Sequence, residues 1–429
     1  MRILLVAHKY PPHSLGGVEV YTRHLAQALG QRHQVLVFYR HDEPGGPPLA
    51  EMDEQVDGIE TRRVSLAPRG LGASVAGEFL GTFLNPAIEE GFARLLATWQ
   101  PDLVHFQHVM TLSARLPALA ARAGVPALLT LHDYWFICGN SQLIWPDART
   151  CQGKALGMNC VRCAAAARFP SPLATAARPA LAPLFLYRDR AVRQAAMQAR
   201  RLISPSHFLM EQYVAAGFPA ERFLVLENGL PLEQIRRVPW RVADGPLRVT
   251  YLGSLAWQKG VHVLIEAVNG LPPGSARLRI CGDPTVFPGY SARLRQAARH
   301  PGIEFAGRVA NEQVGQVLAD SDVVAVPSLW YENSPIVIQE ARAAGVPVIA
   351  SGHGALAEKV RHEVDGLFFA PGDAAALRRA LLRLVDEPGL LERLRQSIPP
   401  PVDVAQHVQQ LEELYRAEGR GTRLTFPAK

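Results

Sequence analysis

Short apolar runs recur along this chain, each closing on a polar or turn residue, with stretches of helical period between them. In the first half these runs are Ile3–Ala7, Val35–Tyr39, Leu103–Phe106, Ala127–Leu131 and Leu202–Ser204. Runs of that length without alternation are how strands buried on both faces of a parallel sheet read. Helical segments lie between them, such as Val18 to Leu29, where Tyr21, Leu25 and Ala28 share one face. The pattern restarts at Leu247–Leu252 and continues through Leu278–Cys281, Ile303–Ala306, Val323–Val326, Val348–Ala350 and Leu367–Phe369. Strand and helix alternating twice over predict an α/β chain of two doubly wound, Rossmann-like domains facing a cleft, with ligands at the carboxyl ends of the strands. Leu230 to Pro246 holds three prolines and no clean period, which makes it the expected hinge. The expected domains are 1–235 and 236–398, followed by 399–429, a helix from about Val402 to Ala417 and a tail.

Composition changes this picture little. Of 429 residues, 48% are apolar and 20% charged, as in a soluble globular protein. Arg2 to Ala7 is too short for a signal peptide, and Leu173 to Tyr187 is too broken by Arg178 and prolines to span a membrane. Five cysteines in so long a chain point to a reducing cytoplasm. Charge is more informative. The net is +6, and Arg168 to Arg201 alone carries seven arginines against one acid, Asp189. Two readings are open: a solvated helix face, or a basic helix on an anionic membrane surface with Leu181, Leu184, Phe185 and Tyr187 partly buried. The second makes the protein peripheral at the inner face of a membrane. No zinc-finger helix or aromatic-basic ribbon argues for nucleic acid.

Candidate chemistry concentrates at predicted strand ends. In Ser328-Leu-Trp-Tyr-Glu-Asn-Ser-Pro-Ile-Val-Ile-Gln-Glu340, two carboxylates, Glu332 and Glu340, bracket a loop turning into a helix. Ser334 suits the N-cap and Pro335 the first helical position, so free N–H groups and a positive dipole end should face an anion between the two carboxylates. Glu340 is expected about two turns inside that helix. Gly16 and Gly17 before a helix let backbone approach a ligand closely. Lys259 follows Gly253 and Ser254 at another helix start, where a cation is disfavoured unless an anion is bound. His132-Asp133 ends a strand, as does Ser204-Pro-Ser206. Asp102 and His105 read as structural. Cys138, Cys151, Cys160 and Cys163 cluster in an irregular loop, the last two as C-x2-C. Four thiolates there would close a tetrahedral structural zinc site; the alternative is four reduced cysteines.

The order of these motifs from Gly16 to about Gly372 resembles that of the family 4 retaining glycosyltransferases. Glu332 and Glu340 match its E-x7-E element, Gly16-Gly17-Val-Glu19 its GG-x-E loop, His132-Asp133 its H-D segment, Ser206 its P-S element and Asn228-Gly229 its N-G turn. The resemblance implies the GT-B fold, with the C-terminal helix crossing back to the first domain. It implies transfer of a hexose from a UDP- or GDP-sugar to a glycan or lipid-linked acceptor. Glu340 would hold the ribose and Glu332 the donor sugar. Lys259 and backbone N–H groups around Asn333, Ser334 and Pro335 would stabilise the leaving diphosphate, and His132 would orient the sugar. Gly16, Gly17, Ser206, Gly253 and Ser254 would border the donor. No cofactor is required for this chemistry. Ser254 departs from the family pattern G-R-L-x-x-x-K-G, where arginine is common, so one phosphate fork is missing. Residues 40–60, rich in Pro, Gly and acids, read as a mobile acceptor loop or a linker. Rival readings are a GT-B epimerase, a phosphorylase (for which only Lys259 is well placed) and a catalytically silent sugar-nucleotide-binding subunit.

Overall fold

The computed structural model describes all residues except 44–48, 67–74, 148, 169–175, 177, 232, 234, 238–244 and 420–429. Part of the expected hinge, part of the expected 40–60 loop and the end of the expected tail therefore lie outside the described residues. The chain forms two compact units: Met1–Gly229 with Val404–Lys429, and Leu230–Asp403. The sequence-based boundary at 235–236 lies a few residues beyond the first of these divisions.

The first unit is built on eight strands: β1 (Arg2–Ala7), β2 (Gln34–Arg40), β3 (Leu49–Val56), β4 (Ile59–Leu66), β5 (Leu103–Phe106), β6 (Ala127–Thr130), β7 (Arg201–Ser204) and β8 (Phe223–Val225). Their order is β3-β4-β2-β1-β5-β6-β7-β8, parallel throughout except for β3. Ile3 to Ala7, at the centre, are fully buried, which is why that run shows no alternation. The β3–β4 hairpin corrects the reading of 40–60 as loop or linker. Asp57 and Gly58 both adopt positive φ, +52° and +79°, as a two-residue primed turn demands. Its Asp-Gly signature was present in the sequence but stood among charged, weakly apolar strands.

The second unit carries β9 (Leu247–Leu252), β10 (Ala276–Cys281), β11 (Ile303–Gly307), β12 (Val323–Val326), β13 (Val348–Ser351) and β14 (Gly366–Phe369). The order is β11-β10-β9-β12-β13-β14, all parallel. Both sheets reverse their winding beside the first strand of the unit, between β1 and β5 and between β9 and β12. Those are the switch points where doubly wound sheets bind ligands.

The C-terminal helix, Val404–Gly419, belongs to the first unit. Val408, Leu411, Leu414 and Tyr415, at spacings of three and four, join Tyr21, Leu25 and Leu29 in one core. Tyr21 Oη lies 2.7 Å from His407 Nε2, and Tyr415 Oη 2.6 Å from His105 Nδ1. The two sheets with this C-terminal helix are the GT-B fold.

Candidate active site

In the second unit the loops leaving β9 and β12 are stitched together at the switch point. The Leu329 amide donates to the Gln258 carbonyl at 2.8 Å. Gly260, at φ +69°, lies so close to the Pro327 carbonyl that no Cβ could be accommodated. This approach brings Lys259 to Glu332: Nζ donates to Oε1 at 2.7 Å, and Ser328 Oγ donates to the same oxygen at 2.6 Å. Glu332 is 4% exposed, so its charge is held in a low-dielectric position by two donors. Lys259 Nζ also stands 5.4 Å from the centre of the Trp330 ring. His353 Nε2 lies 3.0 Å from the Ser328 carbonyl, bracing the loop from the far side.

Two local expectations are corrected here. The helix after the loop runs Ile336–Ala344, and its N-cap is Pro335 at ψ 120° rather than Ser334. Pro335 keeps an extended ψ, so the chain turns helical one residue later than its sequence suggests. Glu340 is consequently little more than one turn into the helix, not two. Glu340 meets no donor or cation among the described residues, and burial pushes its carboxyl up from 4.5 to about 7. Asn333 is buried beside Glu332, and Ser254 is exposed, its carbonyl held by Tyr251 Oη at 2.7 Å.

In the first unit the polar residues that immediately follow β1, β5 and β6 converge. His132 Nε2 lies 2.9 Å from Gln107 Oε1, and its ring packs 5.0 Å from Tyr21. His108 Nε2 meets Asp133 Oδ2 at 3.2 Å and packs 4.6 Å from His8. His8 Nε2 lies 3.7 Å from Glu19 Oε1, which also accepts from Ser14 Oγ at 3.0 Å. Glu19 folds back over Gly16, leaving no room there for a Cβ. Burial, then neighbouring histidines, hold His132 and His105 down at about 3; burial holds His407 at about 4. His132 is therefore neutral, and its bond to a carbonyl oxygen of Gln107 assigns the proton to Nε2. Asp102 accepts the Arg2 amide at 2.7 Å, and His105 also meets Thr130 Oγ1 at 2.8 Å. Ser206 caps the helix His207–Ala215, accepting the Leu209 amide, which occupies its hydroxyl structurally.

Two family descriptions match the chain. Residues 16–229 match "Glycosyl transferase 4-like domain", and residues 233–399 match "Glycosyl transferases group 1". The chain belongs to the family 4 retaining glycosyltransferases. It is 25% identical to a glycogen synthase of Mycobacterium tuberculosis over 448 aligned positions, covering 100% of this chain and 97% of that one. An amylovoran biosynthesis glycosyltransferase of Erwinia amylovora is 30% identical over 199 residues, 44% of this chain and 48% of its own. Among solved structures, a sucrose-phosphate synthase from Thermosynechococcus elongatus superposes at a TM-score of 0.69 with 21% identity, covering 98% and 100% of the two chains. An Anabaena protein, HepE, in complex with UDP and glucose superposes at 0.67 with 19% identity, covering 97% and 100%. These two likenesses concern the fold.

As a nucleotide-sugar-dependent glycosyltransferase, the protein shows features its sequence motifs did not reveal. The Lys259–Glu332 pair was missed because the two stand 73 positions apart; only the β9–β12 adjacency joins them. His8, Gln107 and His108 were passed over, although all three lie within two residues of the end of a buried strand. The zinc expectation finds no support. Among the described residues no group of three or more His, Cys, Asp or Glu side chains is arranged to hold a metal ion. Cys138 Sγ donates to Asn140 Oδ1 at 2.8 Å, and Asn140 Nδ2 donates to Cys163 Sγ at 3.2 Å, so an amide stands among the thiols. Burial pushes the Cys160 and Cys163 thiols up to about 12 and about 11, so in the absence of a metal both are protonated.

Proposed function

We propose that this glycosyltransferase moves a hexose from a UDP- or GDP-sugar to a glycan or lipid-linked acceptor in the synthesis of a surface polysaccharide or glycoconjugate. The observation that supports this most is the second-unit switch point. There a lysine, a buried glutamate and a half-buried, unpaired glutamate follow one another around a helix start. Lys259 is poised to exchange part of its bond to Glu332 for the diphosphate, stabilising the charge that develops on the leaving group. Glu340 suits the ribose hydroxyls, which would donate to its ionised oxygens. Glu332, with Asn333, Ser334 and Pro335 behind it, is assigned to the sugar, and the Gly253–Ser254 turn to the phosphates. The neutral His132 is assigned to the sugar hydroxyls, beside Gly16 and Gly17. Retention follows if the acceptor attacks from the face the diphosphate leaves, with a diphosphate oxygen taking the acceptor's proton. An Anabaena protein of similar fold was solved with UDP-glucose, which makes UDP-sugars the first donors to try.

The test is nucleotide release over a panel of UDP-, GDP- and ADP-sugars with crude glycolipid acceptors. Acceptor-dependent release from one donor, lost in Glu340→Ala and Lys259→Ala, is expected. Donor binding without release under any acceptor would replace this reading with that of a silent subunit.

A further inference from the structure

The first unit carries a surface whose charge and exposure the transfer reaction does not use. Between Lys154 and Arg193 the sequence has seven basic residues and one acid, Asp189, a balance of +6 that equals that of the whole chain. Asp189 is already committed, to Lys154 Nζ at 2.6 Å and to the buried Arg188 at 3.1 Å. The large apolar side chains are also out of place here. Five of the twelve well-exposed ones among the described residues lie between 156 and 187: Leu156 (77% exposed), Met158, Leu181, Leu186 (43%) and Tyr187 (48%).

These residues share one surface. The helices Met158–Arg168 and Arg178–Ala196 pack on each other. Gly157, at φ +89°, stands so close to Ala182 that a Cβ would lie 2.7 Å from its carbonyl oxygen, which sets Leu156 and Met158 beside the first turns of the longer helix. Leu186, Arg190 and Arg193, at spacings of four and three, are exposed along one face of the longer helix. Ala182, Arg188, Val192, Ala195 and Ala196 form its buried face, with Ala182 at the border between the two. Arg188 fastens that face: its guanidinium packs 5.0 Å from the Trp135 ring centre and donates to the Trp135 carbonyl at 2.5 Å. The outer face is thus rigidly presented, apolar at one end and cationic at the other.

We propose that this helical hairpin docks the protein on an anionic lipid bilayer. Leu156, Leu186 and Tyr187 enter the headgroup–acyl boundary, and Arg190 and Arg162 pair with lipid phosphates. An aliphatic stripe beside arginines fits that interface, whereas a polynucleotide backbone offers no comparable place for exposed leucines. No described helix is long and apolar enough to cross a membrane, so the contact is peripheral. Docking needs no nucleotide and stands apart from the donor reading.

The experiment is co-sedimentation of the full chain with vesicles of phosphatidylcholine alone and of phosphatidylcholine mixed with phosphatidylglycerol. Binding is expected to the mixed vesicles only, weakening as salt rises. Leu156→Glu with Leu186→Glu, and separately Arg162→Glu with Arg190→Glu, should each reduce it about tenfold or more. Unchanged circular dichroism and unchanged turnover of a water-soluble acceptor would show that these variants fold. The proposal is overturned if wild type ignores the anionic vesicles, if neutral vesicles bind equally, or if the leucine variant binds as well as wild type. That last result, with the arginine variant impaired, would mean that charge alone draws the chain to the headgroups and that the leucines do not enter the bilayer.

Discussion

The two switch points of this protein are built from the same topology and opposite electrostatics. The one in the second unit is ionic: Lys259 is bonded to a glutamate that is almost wholly buried, and Glu340 waits nearby without a partner. The first unit is different: His132, His105 and His407 are held neutral by burial and hydrogen-bond to amides and hydroxyls, while its carboxylates, Glu19 and Asp133, face His8 and His108 rather than a lysine or arginine. An ionic site suits a ligand that brings its own charge, because a bond to Glu332 can be exchanged for one to phosphate at little desolvation cost. A neutral network suits hydroxyls, which gain from fixed donors and acceptors and nothing from net charge. The Lys259–Glu332 pair is thus suited to a diphosphate, and the His132 network to hydroxyl groups.

Removing the lysine should break the comparison most severely. Lys259→Ala leaves Glu332 buried with only Ser328 Oγ as donor, and takes the cation away from the leaving group. A loss of about a thousandfold in kcat/KM is expected, on the scale of a lost transition-state donor. Lys259→Arg should recover part of this, since charge returns but geometry does not. A Lys259→Ala variant keeping more than a tenth of wild-type kcat/KM would remove Lys259 from the chemistry.

Glu340 should give the next largest effect, and one with a sign. Its carboxyl, pushed up to about 7, must ionise to accept two hydroxyls. Donor affinity should therefore fall as pH drops through about 7, approaching tenfold per pH unit below it. Glu340→Gln should bind more weakly and lose the dependence. Stability runs the other way. Between 4.5 and about 7 the folded chain retains a proton the unfolded chain has released, so the donor-free protein should become less stable as pH rises through that window. Calorimetric titration of a UDP-sugar at several pH values, beside thermal melts, checks both. His132→Ala should cost about tenfold, the worth of one neutral hydrogen bond, with no change in the pH profile, since His132 is neutral throughout. A displaced pH limb in that variant would show that His132 carries charge when the protein works.

The contrast also marks what could be read in the chain itself. Buried parallel strands announce themselves as unbroken apolar runs, so β1, β5, β9 and β12, which set both switch points, were legible to within a residue or two. The polar residues after such runs were read only in part: His132 was singled out after β6, whereas His8 after β1 and Gln107 and His108 after β5 were passed over, because no motif marked them. The β3–β4 hairpin was not legible, because its edge strand β3 is exposed or half-exposed and the two strands carry six charged residues in sixteen, which hides their alternation. Charge pairing was not legible either. Nothing in a linear reading joins Lys259 to Glu332, or Tyr415 to a histidine 310 positions earlier. The cysteines show the converse case: their spacing suggested a metal, and among the described residues no group is arranged to hold one, while Asn140 bonds to two of the thiols.

The smallest effect concerns what lies beneath the neutral site. Tyr415→Phe deletes one hydroxyl from the C-terminal helix and leaves His105 Nδ1 unpaired and wholly buried. The ring stays, so the packing against Leu411, Leu414 and Tyr21 should survive. The cost should then be that of a lost hydrogen bond plus an unsatisfied buried nitrogen, about 1–3 kcal/mol, seen as a lower urea midpoint with unchanged slope. Donor affinity should stay at the wild-type value, because Lys259 and Glu340 belong to the other unit. His105 also bonds Thr130, two residues before His132, so a small fall in kcat without a change in donor affinity is expected if the network positions His132 through β6. A Tyr415→Phe protein as stable as wild type would mean that His105 and Thr130 satisfy one another without the helix. The C-terminal segment would then be held by its apolar face alone.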